Sequence, residues 1–185
     1  MRKHLPVVVI ILLFFVVALR LANNSFYYDE LYTLKSGICQ PLPDVMFHYK
    51  NLNIHPLFTV LSNLEMTGRS FSDVLDHPWI IRLPQLLFPI TTLWLTYSLG
   101  ARIKSRRAGM IACAIMASTL PFYYYSSAIR GYQLSLMLYT AMLLCYFNRR
   151  YVILGTLTAL FLYVMPSNAA FVAGLGTWTI IERSR

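Results

Sequence analysis

An all-α fold is what this sequence predicts: a polytopic transmembrane bundle of about five or six spans with a helical extracytoplasmic first loop. Three observations predict it. Of 185 residues, 57% are hydrophobic and only 12% charged, with a mean hydropathy of +0.55; a soluble domain carries about 25% charged residues. The apolar residues gather in long runs, not in the short alternating stretches of half-buried strands. The basic residues behind the net charge of +9 sit in short clusters between those runs. That placement suits orientation signals in a membrane protein and argues against nucleic acid as a partner.

In chain order, a basic head, Met1 to His4, precedes the first run, 5–21. A cleaved signal peptide shares that pattern, but the length of the run and Arg20 near its end favour a retained span. Residues 23–79 form the outer loop. Pro41, Pro43 and Asp44 start one helix there, with Val45, Met46, Tyr49 and Leu52 as its apolar stripe. Pro56 suits the first turn of a second helix and Gly68 its end. A third starts near Ser72-Asp73. Further spans are predicted at 80–99, 109–125, 132–147, 151–165 and 169–181. The last two are short against the roughly 20 residues a span needs, and are read as two short spans in preference to a re-entrant hairpin. All six belong to one membrane domain.

With the N-terminus inside and the spans alternating, ten basic residues fall on inner segments (Arg2, Lys3, Arg102, Lys104, Arg106, Arg107, Arg149, Arg150, Arg183, Arg185). Six fall outside (Arg20, Lys35, Lys50, Arg69, Arg82, Arg130). The bias places the chain in the inner or plasma membrane with a cytoplasmic N-terminus and the 23–79 loop outside the cytoplasm. Cys39, Cys113 and Cys145 are odd in number and two lie in apolar runs, so no disulfide framework is expected.

Tyr27-Tyr28-Asp29-Glu30 follows the first run directly. Its two carboxylates are either solvated loop acids or a general base with a companion for orientation or for a cation. His55-Pro56 is either a helix start or a phosphate site built on helix N–H groups, with His55 as proton donor or metal ligand. Arg82 and Arg130 are either interfacial anchors or cations converging on an anion on the same side as Asp29. No ionisable residue sits in the middle of a run, which argues against a transport path.

Five motifs recur in an order that resembles the N-terminal part of the GT-C glycosyltransferases, nearest the protein mannosyltransferase and aminoarabinose transferase group. They are Tyr28-Asp29-Glu30, Asn53-Ile54-His55-Pro56-Leu57, Ile81-Arg82-Leu83-Pro84, Arg106-Arg107-Ala108-Gly109, and Tyr124-Tyr125-Ser126 with Arg130-Gly131-Tyr132. The likeness covers about Phe26 to Asn168. It implies an inverting transfer of a hexose or pentose from a polyprenyl-phosphate donor to an extracytoplasmic lipid, glycan or protein.

On that resemblance Asp29 acts as base or metal ligand, with Glu30 beside it, and the His-Pro loop and the arginine map to His55-Pro56 and Arg130. Together with Arg82, His55 and Arg130 are then expected at the donor phosphate, and Tyr28, Tyr125 and Tyr132 along the substrate. Glu30 and His55 are the candidate ligands of a divalent cation, Mg or Mn. Two features depart from the family: Leu57 follows Pro56 where a second proline is common, and the chain is much shorter than the several hundred residues of its members. It is therefore expected to be the N-terminal module of such an enzyme. The alternative is a non-catalytic remnant or subunit that binds lipid-linked sugar, membrane lipid or the helices of a second membrane subunit.

Overall fold

The computed structural model describes residues 4–47 and 55–183, and every regular element among them is helical. Tyr49 and Leu52 of the predicted stripe, Asn53 and Ile54 of the His-Pro motif, His48, and the basic residues Arg2, Lys3, Lys50 and Arg185 lie outside the described residues.

The first run is α1, Leu5–Leu21. The segment between α1 and Trp79 holds α2 (Tyr28–Thr33), a π-helical turn (Leu34–Ile38), α3 (Leu42–Phe47), α4 (Pro56–Glu65) and α5 (Phe71–Asp76). The predicted 80–99 helix is two helices, α6 (Trp79–Gln85) and α7 (Leu87–Ile103). Pro84 and Pro89 flank the break at Leu86, and neither has an N–H to carry a ladder across it. The predicted 109–125 helix is likewise α8 (Arg106–Ser118) and α9 (Leu120–Ser127), bent by 67°. Thr119 is extended there (ψ 134°), directly before Leu120-Pro121; Pro121 cannot donate back to the preceding turn. α10 (Tyr132–Phe147), α11 (Tyr151–Val164) and α12 (Ala169–Arg183) follow, with a 3₁₀ turn at Pro166–Asn168 between the last two.

Among the described residues no single helix is long and apolar enough to cross a membrane, while the bent α8–α9 pair meets that test as a unit. α1, α10 and α11 are shorter apolar helices. A 17-residue helix such as α1 spans about 26 Å, somewhat under a typical hydrocarbon core.

Two apolar cores hold the bundle. One joins Phe14 and Ala18 of α1 to Leu93 and Tyr97 of α7, Cys113 and Ala117 of α8 and Phe122 of α9. The other joins Leu34 and Ile38 of the π turn, Phe58 of α4, Ile81 of α6, Leu134 and Leu138 of α10, and Phe161 and Val164 of α11. Where α7 meets α8, a Cβ on Gly100 would lie 2.6 Å from the Cα of Gly109. Two glycines thus bring the backbones together more closely than any larger pair allows.

The segment between α1 and Trp79 is tied to itself by Asn63 of α4, whose Nδ2 donates to the carbonyls of Ile38 (2.6 Å) and Gln40 (2.8 Å). α5 starts with a reciprocal cap: Ser70 Oγ accepts from Asp73 N (3.1 Å), and Ser70 N donates to Asp73 Oδ2 (2.9 Å). α2 and the start of α4 meet the α9–α10 turn through Glu30 against Ile129 and His55 against Gly131, and the candidate residues lie there.

Candidate functional site

Asp29 and Glu30 are consecutive on α2, so their side chains leave the helix about 100° apart. One is 62% exposed and the other 2%. Glu30 points inward. Its Oε2 accepts from Arg82 Nη2 (2.8 Å) and from Tyr27 N (2.9 Å), which caps α2, and its Oε1 accepts from Ile129 N (2.8 Å). Arg82, also 2% exposed, donates to the carbonyls of Ala22, Asn24 and Ser25 and lies 4.8 Å from the centre of the Phe26 ring. One buried ion pair therefore fastens the end of α1, the start of α2, α6 and the α9–α10 turn at one point.

Asp29 points into a cleft. Its Oδ2 meets Arg130 Nη2 at 2.9 Å, and no described residue donates to Oδ1. The cleft has a volume of about 430 Å³ and is walled by Tyr27 and Tyr28 on one side and Tyr124, Tyr125 and Tyr132 on the other. Tyr27 packs on Tyr124 with ring centres 5.7 Å apart, and Tyr125 on Tyr132 at 4.7 Å. A carboxylate, a guanidinium that is 7% exposed and a ring of phenols thus face one space.

His55 lies behind the cleft. It precedes Pro56 at the start of α4, its carbonyl accepts from Thr59 N (2.8 Å) and Thr59 Oγ1 (2.9 Å), and its side chain is 2% exposed. Its ring meets Tyr132 edge to face at 5.1 Å, and neither ring nitrogen has a partner among the described residues. Burial first, and then the nearby charge of Arg130, pulls its pKa down to about 4, so the imidazole is neutral at pH 7. Gly131 makes this packing possible. A Cβ there would lie 2.9 Å from both His55 Cβ and Val164 Cγ1.

A second space adjoins the cleft. It is an apolar groove of about 600 Å³ between α7, α8, α9 and α10, with Ala112, Ile115, Phe122 and Leu136 in its walls. Tyr125 and Tyr132 line both groove and cleft.

The sequence-predicted residues thus divide. Asp29, Arg130, Tyr28, Tyr125 and Tyr132 share the cleft; Glu30 touches it but is engaged with Arg82; Arg82 is consumed by the brace; and His55 reaches the cleft only through Tyr132 and the charge of Arg130. Among the described residues no group of three His, Cys, Asp or Glu side chains could hold a metal ion. Of the two candidate ligands of a divalent cation, Glu30 already accepts three hydrogen bonds while both ring nitrogens of His55 are without a partner among the described residues, and no step is routed through a metal. Tyr27 and Tyr124 belong to the motifs read from the sequence but were not expected along the substrate, and the amide of Ile129 carries no sequence signal. Compared with known proteins, the chain matches no family model, no curated protein and no solved structure.

Proposed function

We propose that the chain is a membrane glycosyltransferase module that moves a sugar from a polyprenyl-phosphate donor to an acceptor outside the cytoplasm. The single observation that carries this reading is the joining of two unlike spaces by Tyr125 and Tyr132. One is a polar cleft with Asp29 and Arg130, the other an apolar groove. A ligand that is anionic at one end and hydrocarbon along the rest fits that combination. The sequence resemblance to the GT-C glycosyltransferases points the same way.

In this reading the module lies in the membrane through α1, α6–α7, the bent α8–α9 pair, α10, α11 and α12. The 23–79 segment faces the outside, on the positive-inside count. Arg130 holds the donor phosphate by a charge-assisted hydrogen bond. Asp29 takes the proton from the acceptor hydroxyl as its oxygen bonds to the anomeric carbon. The bond from that carbon to the phosphate oxygen breaks, polyprenyl phosphate leaves as an anion, and the configuration inverts. Because the leaving group is already a stabilised anion, the base and the phosphate cation are the groups the step requires. Glu30 and Arg82 act one layer back, by fixing α2 against the α9–α10 turn.

The test is transfer of radiolabelled sugar from a polyprenyl-phosphate donor in membranes that contain the chain. Wild-type protein should transfer, and Asp29→Asn should lose about 10²- to 10⁴-fold in rate with unchanged membrane content. Undiminished transfer by Asp29→Asn would remove the base assignment. Absence of both transfer and donor binding in the wild type would remove the reading itself.

A further inference from the structure

A third cavity meets Tyr132 from the other side. It has a volume of about 210 Å³ and lies between α10, α11, the 3₁₀ turn and α12, with Tyr132, Ser135, Tyr139, Phe161, Asn168 and Phe171 in its walls. We infer that it is a binding pocket for a single pyranose ring. The inference rests on the proposed function for its place beside the transfer site, and on its own walls for its chemistry.

Size comes first. Pockets for drug-sized ligands run from about 300 to 1,000 Å³. This cavity is smaller and takes one ring, not a chain of them.

The walls come second. Tyr139, Phe161 and Phe171 form one aromatic cluster, with ring centres 5.7 Å apart for Tyr139–Phe161, 5.4 Å for Tyr139–Phe171 and 6.3 Å for Phe161–Phe171. The electron-rich faces of such rings attract the polarised C–H groups of a sugar.

The polar groups come third. Asn168 is 3% exposed, and its Nδ2 uses both hydrogens, one on Ser135 Oγ (3.0 Å) and one on the Phe161 carbonyl (2.7 Å). Those bonds fix the amide, and no described residue donates to its Oδ1. Ser135 Oγ accepts from Asn168, and its own hydrogen has no acceptor among the described residues. The cavity is mostly apolar, and at one point of its wall it sets a fixed acceptor beside a hydroxyl donor; a sugar ring likewise carries hydroxyls at its edge and C–H groups on its faces.

Location comes last. Tyr132 is shared by the acidic cleft, the apolar groove and this cavity. Phosphate, lipid and sugar would each find a matching space around one phenol. The ring could belong to the donor or to a glycan acceptor, and the two sources share the recognition chemistry.

The test uses the full chain in nanodiscs. Binding is measured for three probes: polyprenyl-phosphate mannose, bare polyprenyl phosphate and methyl α-mannoside. Ser135→Ala and Phe171→Ala each remove one element of the pocket, and Phe171 is exposed enough (55%) for its loss to spare the fold. Both variants should weaken the mannosylated lipid about five- to tenfold and leave the bare lipid unchanged. Weakening confined to methyl α-mannoside would support the pocket with the acceptor as its source. Equal weakening of both lipids, or none for any probe, would overturn the inference. If the wild type bound neither lipid yet bound methyl α-mannoside, with the same loss in both variants, the donor reading would fall and the pocket would stand. A wild type that bound none of the three would sink both.

Discussion

Arg82 and Glu30 meet at 2.8 Å with both side chains 2% exposed, and between them they hold the backbone of five other residues. A buried pair adds little over a well-packed apolar pair, but removing one partner leaves a charge stranded. Glu30→Ala should therefore cost about 3–5 kcal/mol of stability. The double variant Glu30→Gln/Arg82→Met should recover part of that. Thermal unfolding in detergent measures both. A Glu30→Ala midpoint equal to that of the wild type would show that the pair holds nothing together.

Gly131→Ala should be destabilising by about 1–3 kcal/mol, the usual cost of overpacking. The added methyl meets His55 and Val164 at 2.9 Å, and neither contact is the far end of a flexible side chain. The displaced His55 ring would carry Tyr132 with it, since the two rings pack at 5.1 Å. Donor binding should fall together with the unfolding midpoint. A stable variant with unchanged binding would show that the α9–α10 turn yields freely.

Much of this arrangement is legible in the sequence, because hydrophobic runs, prolines and the Asp-Glu pair are local signals. α1, α10 and α11 follow the runs to within a residue, and α4 begins at Pro56 as the proline dictates. The breaks at Leu86 and Thr119 are harder to read. Proline signals a possible kink, but whether the chain bends depends on what packs behind it. The separate roles of Asp29 and Glu30 are not legible at all. The dipeptide offers two equivalent acids, and only the position of Arg82, 52 residues away, turns one of them inward.

Glu65 should make the fold lose stability as pH rises. Burial lifts its pKa from 4.5 to about 7, and its Oε2 is buried without a partner among the described residues. The folded chain then keeps a proton that the unfolded chain has released. The stabilisation is complete below about 4.5 and disappears as pH rises through about 7. His55 works in the opposite sense over part of the same window. Its pKa falls from 6.5 to about 4, so its contribution is complete above 6.5 and disappears as pH falls through 4. Glu65→Gln removes the first slope alone. Unfolding midpoints of this variant should rise with pH between about 4.5 and 6.5 and exceed those of the wild type at pH 8. A variant whose profile parallels the wild type throughout would show that Glu65 does not titrate with folding.

Arg130 and Asp29 should fail in different ways, although they touch. Arg130 is 7% exposed, and its Nη2 reaches Asp29 Oδ2 at 2.9 Å while its guanidinium faces the cleft. A cation that holds a phosphate acts on the bound donor as well as on the departing one, so its loss appears mainly as weaker binding. Charge-assisted hydrogen bonds contribute about 1.5–3 kcal/mol, so Arg130→Ala should raise KM for the donor about 10- to 100-fold. kcat should change far less. A base acts only as the acceptor proton moves, so Asp29→Asn should lower kcat and leave donor affinity near the wild-type value. Asp29 is 62% exposed, so Asp29→Asn should leave the fold intact, since pairs open to solvent contribute about 1 kcal/mol or less; unfolding midpoints of both variants check that the kinetic changes are not losses of folded protein. Steady-state transfer at varied donor concentration separates the two patterns, and direct donor binding to Asp29→Asn checks the second independently. The assignment fails if Arg130→Ala lowers kcat at unchanged KM, because the arginine would then serve the transition state, or if Asp29→Asn loses donor affinity as severely as Arg130→Ala.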